Sequence, residues 1–172
     1  MNMDTIISLS ACFDVVYFIL PAYIANLSAL ALGGGIPVDM NKKFFDKRQI
    51  IGNGVTWKGL ILGTICGTII GIIQGLISGN ILNGLTLGFL LSFGALLGDA
   101  AGSFIKRRLN IDKGRPAPVL DQLDFIAGAL ILASLVVEIS LTTVIIVAVL
   151  TLILHLLTNI IAYLIGIKDV WY

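Results

Sequence analysis

The stretch of residues 98–124 contains side chains whose types and spacing could do chemistry, because it places charge in an otherwise apolar sequence. Asp99, Ser103 and Lys106 stand at positions i, i+4 and i+7, which share one face of a helix. At about 1.5 Å per residue, Asp99 lies roughly 10 Å deeper along that helix than Lys106. An ionisable group at such a depth in a membrane is costly unless it lines a wet cavity or binds a cation.

A basic cluster and a pair of acids follow this face. Five of the 11 Lys and Arg residues lie here: Lys106, Arg107, Arg108, Lys113 and Arg115. Asp121 and Asp124 stand at i and i+3, and so share a face at the start of the next predicted helix. Carboxylate oxygens hold Mg²⁺, and Lys and Arg neutralise phosphate oxygens. The stretch therefore predicts a site for a metal-bound polyphosphate.

The composition predicts an integral membrane protein. Hydrophobic residues make up 58% of the 172 residues and charged residues only 12%, and the mean hydropathy is +1.03. These values lie far outside the range of a soluble domain. A net charge of +1 predicts no affinity for nucleic acid.

Apolar runs predict an all-α fold of five transmembrane helices in one domain, residues 1–172. The helices are expected at about residues 5–32, 57–77, 81–105, 123–137 and 141–167. Glycine recurs every fourth residue from Gly59 to Gly79, and the third helix has two further glycine sets. This spacing predicts close packing of the second and third helices, which would bring Asp99 beside the start of the second helix.

The loop charges predict the orientation. The basic residues fall beside the first loop (Lys42, Lys43, Lys47, Arg48, Lys58), in the third loop (Lys106, Arg107, Arg108, Lys113, Arg115) and after the last helix (Lys168). Five spans place all of these residues on one face, which the positive-inside rule makes cytoplasmic. We therefore expect an N-terminus outside, a cytoplasmic C-terminus, two polar cytoplasmic loops and a site that faces the cytoplasm.

Other polar residues have two interpretations each. Asn53 and Thr56 could bind a base or a phosphate, or could cap the second helix. Asp14, Asn26 and His155 lie in predicted spans, where each could be functional or could form a hydrogen bond with a neighbouring helix. The sequence leaves the roles of these three residues open.

The polar stretch resembles the CTP-dependent phosphatidate cytidylyltransferases. The similarity consists of a Gly-Asp pair, a Ser four residues later, a Lys-Arg pair, a Lys, a Pro and an Asp-x-x-Asp motif: Gly98, Asp99, Ser103, Lys106, Arg107, Lys113, Pro116, Asp121 and Asp124. Residues 21–26, Pro-Ala-Tyr-Ile-Ala-Asn, are similar to the small archaeal branch, the CDP-archaeol synthases. The bacterial His and Arg are absent before and after Asp121, which also favours the archaeal branch.

This resemblance implies a membrane enzyme that joins CTP to an isoprenoid glycerol phosphate lipid and releases pyrophosphate. It implies Mg²⁺ as the cofactor, with Asp99, Asp121 and Asp124 as candidate metal ligands. Asp99, Asp121 and Lys106 would be catalytic. Substrate would be bound by Asn53, Thr56, Ser103, Lys106, Arg107 and Lys113.

Two alternatives remain at this stage. A CDP-diacylglycerol synthase or a polyprenol kinase would share the nucleotide and metal chemistry but act on another lipid or another phosphorus. A small transporter or channel would instead line a path with its charges. The one-sided basic residues argue against a path, because only Asp14 and His155 would continue a polar route across the membrane.

Overall fold

The computed structural model describes residues 9–111, 117 and 119–164. These residues form five helices: α1 (Leu9–Leu32), α2 (Trp57–Ser78), α3 (Ile81–Arg108), α4 (Leu120–Ala133) and α5 (Leu141–Leu164). The predicted all-α fold is confirmed. Helix α4 begins three residues earlier than expected, so Asp121 lies in its first turn.

Three of the described helices are long and apolar enough to cross a membrane: Phe13–Leu32, Trp57–Ser78 and Ile81–Arg108. Helix α4 has 14 residues, which at about 1.5 Å per residue is shorter than a hydrocarbon core of about 30 Å. The apolar part found in α5 is also short, Leu141–Leu157. Membrane spans are thus supported for α1, α2 and α3, and the count of five stays a prediction.

The glycine ridge of α2 packs against α3 near the turn that joins the two helices. Gly71 and Gly75 of α2 face Gly84 and Gly88 of α3, and a Cβ atom on Gly75 would lie only 3.0 Å from the Cα atom of Gly84. Backbones approach this closely only where side chains are absent. The predicted packing of α2 against α3 is confirmed here.

The second glycine set of α3 packs against α4, and the expectation that it would meet α2 is wrong. A Cβ atom on Gly94 would meet the carbonyl of Gly128, and one on Gly98 would meet the carbonyl of Asp124. The cause is helical geometry: the six residues from Gly88 to Gly94 turn the helix by about 600°, so the two sets point about 120° apart. Each set therefore meets a different neighbour.

Pro21 creates a polar link between α1 and its neighbours. Proline has no N–H, so the carbonyl of Tyr17, four residues earlier, lacks its helical donor. The Gln74 Nε2 atom of α2 donates to that carbonyl at 2.5 Å. The Ser92 hydroxyl of α3 donates to the carbonyl of Gly88 at 2.6 Å and lies 3.4 Å from the carbonyl of Pro21. The bond from Gln74 satisfies a backbone carbonyl that would otherwise be costly inside a membrane.

The loop of residues 33–56 joins α1 to α2 at the end of the bundle where α3 ends and α4 begins. Asp39 organises it, because its carboxylate accepts hydrogen bonds from the backbone N–H groups of Asn41, Ile51 and Gly52 at 3.0, 2.9 and 2.8 Å. Burial raises the pKa of Asp39, but the backbone hydrogen bonds outweigh burial and hold this pKa below its ordinary value. The loop is therefore fixed around an ionised carboxylate.

Candidate active site

A cavity of about 300 Å³ opens at this polar end, between α1, α2, α3 and the loop of residues 33–56. Its lining residues are Asn26, Ala29, Leu30, Gly54, Val55, Thr56, Gly59, Leu60, Leu96, Asp99, Ser103, Lys106 and Arg107. Five of them were predicted as site residues: Thr56, Asp99, Ser103, Lys106 and Arg107. The expected position of Asp99 beside the start of α2 is confirmed, because both contribute to this wall.

One face of α3 presents Asp99, Ser103 and Lys106 to the cavity, as their spacing predicts. The Lys106 Nζ atom forms an ion pair with the Asp121 Oδ1 atom of α4 at 2.7 Å. The other carboxylate oxygen of Asp121 accepts a hydrogen bond from the Ala117 N–H at 2.9 Å. Asp121 thus orients a cation of the cavity from outside the cavity wall.

Arg107 lies between the cavity and the loop. Its Nε atom donates to the carbonyl of Ile51 at 3.3 Å and its Nη1 atom to the carbonyl of Ile111 at 2.6 Å. Gly52 has a φ of +95°, and a Cβ atom there would lie 3.0 Å from the Arg107 Nε atom. A guanidinium carries five N–H donors, so Arg107 retains donors for a ligand while it contacts the loop.

Thr56 both caps a helix and lines the cavity. Its hydroxyl oxygen accepts hydrogen bonds from the N–H groups of Gly59 and Gly34, each at 3.1 Å. The capping interpretation is confirmed, and the hydroxyl hydrogen stays available to a ligand. Asn53 is exposed and does not line the cavity, and its side-chain oxygen accepts a hydrogen bond from Gln49 at 3.2 Å.

Asp124 faces a different space from Asp99. Its side chain packs on Gly102 at the crossing of α3 and α4, and it borders an apolar groove of about 550 Å³. The Asp124 Oδ1 atom accepts a hydrogen bond from the Phe125 N–H at 2.7 Å. The Oδ2 atom is buried and has no hydrogen-bond partner among the described residues.

The expected convergence of three carboxylates is therefore incomplete. Within residues 9–111, 117 and 119–164, no group of three or more His, Cys, Asp or Glu side chains is arranged to hold a metal ion. The reason is that Asp121 pairs with Lys106 and Asp124 turns into the α3–α4 crossing. Asp124 nevertheless lies close enough to Asp99 and Asp121 for electrostatic interaction.

The donor atoms still fit a magnesium ion bound together with phosphate. Mg²⁺ in nucleotide sites usually takes one or two carboxylates, substrate phosphates and water. The described ion pairs do not include Asp99, and the buried Asp124 Oδ2 atom lacks a partner. The Asp99 carboxylate offers the cavity the kind of oxygen that a hard cation requires, whereas the Asp124 carboxylate borders the neighbouring groove.

Lys113, Arg115 and Pro116 lie outside the described residues. Asn26 lines the cavity, although the sequence left its role open. Arg108 belongs to the basic cluster of the sequence, although it was not predicted to bind substrate, and it contacts the loop of residues 33–56.

Comparisons with known proteins identify the family. A family model described as CarS-like, CDP-archaeol synthase, matches residues 6–172. The chain belongs to this family. The CDP-archaeol synthase of Methanothermobacter thermautotrophicus is 64% identical to this chain over the whole of both chains. That of Methanocaldococcus jannaschii is 52% identical, over 93% of this chain and 97% of its own length.

A solved structure agrees with the fold. It is described as an intramembrane enzyme for archaeal membrane lipids biosynthesis, and it matches with a TM-score of 0.80 and 42% identity over 86% of this chain and 94% of that chain. The predicted archaeal branch is confirmed, and so is the predicted class, a membrane nucleotidyltransferase enzyme. Because the chain belongs to an enzyme family, we no longer consider the transporter or channel alternative.

Proposed function

We propose that this member of the CDP-archaeol synthase family converts CTP and 2,3-bis-O-(geranylgeranyl)-sn-glycerol 1-phosphate into CDP-archaeol and pyrophosphate. A phosphate oxygen of the lipid attacks the α-phosphorus of CTP and forms the new P–O bond. The bond between the α-phosphorus and the bridging oxygen breaks, and pyrophosphate leaves with that oxygen. Relatives named CDP-archaeol synthase over the full length of the chain support this reaction.

The observation that carries the proposal is the joint presence of Asp99, Lys106 and Arg107 in one cavity at the polar end of the bundle. Two anionic reactants must meet there, so positive charge is needed to bring them together. Lys106 and Arg107 would hold the triphosphate, and the hydroxyls of Ser103 and Thr56 would bond phosphate oxygens. The Lys106–Asp121 ion pair would keep the ammonium group in position.

The metal would be held by Asp99 and Asp121, with Asp124 as a third candidate. A bound Mg²⁺ would neutralise phosphate charge and so stabilise the charge that develops at the leaving pyrophosphate. Asp99 faces the cavity directly, whereas Asp121 would bind the metal with oxygens that also accept from Lys106 and from the Ala117 N–H. The role of this chain is to bring a carboxylate, Asp99, and two cations, Lys106 and Arg107, into one cavity.

We place the cavity on the cytoplasmic face of a five-span protein. The basic residues of the described loop and of the end of α3 lie at the same end of the bundle as the cavity, and CTP is a cytosolic nucleotide. Cysteine labelling tests this orientation. A membrane-impermeant maleimide should modify Asn110→Cys only from the cytoplasmic side and Gly79→Cys only from outside, and modification of both from one side would contradict it.

The reaction is tested with purified protein in lipid nanodiscs. Pyrophosphate should appear only when CTP, the geranylgeranyl glycerol phosphate and Mg²⁺ are all present, and label from the α-phosphate of CTP should enter the lipid. The dephosphorylated lipid is the matched control and should give no product. Transfer of the γ-phosphate with release of CDP would instead identify a lipid kinase. Diacyl phosphatidate as the better acceptor would identify a CDP-diacylglycerol synthase.

A further inference from the structure

The three consecutive cations at the end of α3 have three different environments. Lys106 pairs with Asp121, and Arg107 lines the cavity. Arg108 does not belong to the cavity wall and points toward the loop of residues 33–56. Successive residues of a helix point about 100° apart, so neighbours in sequence here meet different partners.

Arg108 makes four contacts, three of them with the loop. Its Nη1 atom forms an ion pair with the Asp46 Oδ1 atom at 2.8 Å, and its Nη2 atom donates to the carbonyl of Gln49 at 2.6 Å. The guanidinium carbon lies 4.9 Å from the ring centroid of Phe44. The fourth contact is with Phe104 of α3 itself, at 5.1 Å from the ring centroid.

The Phe44 and Phe104 rings also contact each other edge to face, with their centroids 5.7 Å apart. Arg108 therefore joins the tip of the loop to α3 through charge, hydrogen bonding and aromatic contact together. The bond from Arg107 to the carbonyl of Ile51 attaches the returning limb of the same loop. The loop is docked on the helix that presents Asp99 and Ser103.

The docked loop contributes a wall of the cavity. Residues 54–56 end the loop and line the cavity beside α3. Asp39 connects the two limbs of the loop, since it lies in one limb and accepts hydrogen bonds from Ile51 and Gly52 in the other. If the loop tip moved, the hydrogen bonds of Asp39 would therefore transmit the movement to residues 54–56 in the cavity wall.

We propose that Arg108 is a positioning residue for the nucleotide: it docks the loop of residues 33–56 on α3 and thereby forms the cavity wall against which CTP binds. The part of this proposal that concerns CTP rests on the proposed function, and the part that concerns loop docking does not. Arginine suits the task because its planar fork reaches Asp46 and the Gln49 carbonyl while its face stacks on Phe44. A lysine ammonium cannot make these contacts together.

The test measures two quantities on Arg108→Ala in nanodiscs. Hydrogen–deuterium exchange should show faster exchange of the loop amides, residues 38–52, with exchange in α2 unchanged. The loop loses its charge-assisted hydrogen bonds to Arg108, so the cavity wall that it forms is no longer held in place. The KM for CTP should therefore rise about tenfold or more, with kcat largely retained. Arg108→Lys should be intermediate in both. Lys43→Ala, an exposed cation of the same loop, should match the parent protein.

A merely structural role would lower the amount of active enzyme, and hence the apparent kcat, at an unchanged KM; that result would overturn the proposal. Unchanged exchange in the loop would overturn it as well. Asp46→Ala removes one partner of Arg108 and leaves α3 intact, so it repeats the test with a smaller expected rise in KM if Arg108→Ala does not fold. If the parent protein itself transfers no cytidylyl group, the proposed function fails, while the exchange measurement still decides loop docking.

Discussion

Helix α3 makes two glycine-lined crossings, and the two differ in what they bring together. Near its start, Gly84 and Gly88 meet the glycines of α2 in a contact of backbone with backbone. Near its end, Gly98 and Gly102 meet Asp124 of α4, close to Asp99 and Asp121. The same small-residue spacing therefore stabilises the bundle at one place and assembles carboxylates from two helices at the other.

The largest effect expected from a change in helix packing separates these two crossings. A Cβ atom on Gly98 would meet the carbonyl of Asp124 and lie 3.0 Å from the Cα atom of Phe125, and a Cβ atom on Gly71 would lie 3.0 Å from the backbone nitrogen of Gly88. We expect both Gly98→Ala and Gly71→Ala to cost about 1–3 kcal/mol of stability, because helix backbones must separate. In the folded fraction, turnover should fall about a hundredfold for Gly98→Ala only, since Asp124 and Asp121 move away from Asp99.

Thermal unfolding and specific activity of the folded fraction, measured on the same preparations, check this pair. Equal losses of turnover in Gly98→Ala and Gly71→Ala would show that the α3–α4 crossing has no special role in positioning the carboxylates. Retained turnover in Gly98→Ala would show that the placement of α4 is not needed for the reaction.

The next effect concerns the cation that links the two sides of the site. Lys106→Ala removes the ammonium from the cavity and leaves Asp121 without its ion pair. We expect the apparent affinity for CTP to fall roughly ten- to a hundredfold, because a charge-assisted hydrogen bond contributes about 1.5–3 kcal/mol. Lys58→Ala is the control, since Lys58 is exposed and lies off the cavity wall. Initial rates measured over a range of CTP concentrations give the apparent affinity of each variant. Equal affinities in Lys106→Ala and Lys58→Ala would show that Lys106 does not bind CTP.

The smallest effect tests the loop by pH. The pKa of Asp39 is lowered in the folded protein, so its contribution to stability is fully present above the ordinary carboxyl pKa of about 4. This contribution is lost as the pH falls through the lower folded value. Asp39→Asn should be less stable than the parent by about 1–3 kcal/mol at neutral pH, and the difference should shrink below pH ~4. Thermal unfolding between pH 3 and 7 measures this, and a constant difference would contradict it.

Much of the fold was predictable because its signals are periodic. Apolar runs and recurring glycines identify helices and close contacts, and the starts of α2 and α3 match the expected residues. The face of Asp99, Ser103 and Lys106 follows from the same periodicity. The spacing from Gly88 to Gly94 also indicates that the two glycine sets of α3 face different helices, because six residues turn a helix by about 600°.

The pairings of individual charges were not predictable. Lys106, Arg107 and Arg108 look alike in sequence, and only the positions of the loop and α4 decide which meets a carboxylate, a carbonyl or an aromatic ring. Gln74 illustrates the same limit, because its partner is a carbonyl that a proline 53 residues earlier leaves unpaired. Long-range contacts of this kind have no local sequence signal.

We propose that the Asp99 carboxylate binds Mg²⁺ together with CTP. Two isosteric substitutions test this proposal directly. Asp99→Asn removes a charge at the cavity. Asp14→Asn makes the same chemical change near the start of α1, where Asp14 is exposed and does not line the cavity. The measurement is the rise in unfolding temperature when CTP and Mg²⁺ are added together. We expect this rise to persist in Asp14→Asn and largely to vanish in Asp99→Asn, because a neutral amide binds Mg²⁺ poorly. Turnover of Asp99→Asn should also fall by orders of magnitude. A well-folded Asp99→Asn protein with the full rise and near-normal turnover would contradict it.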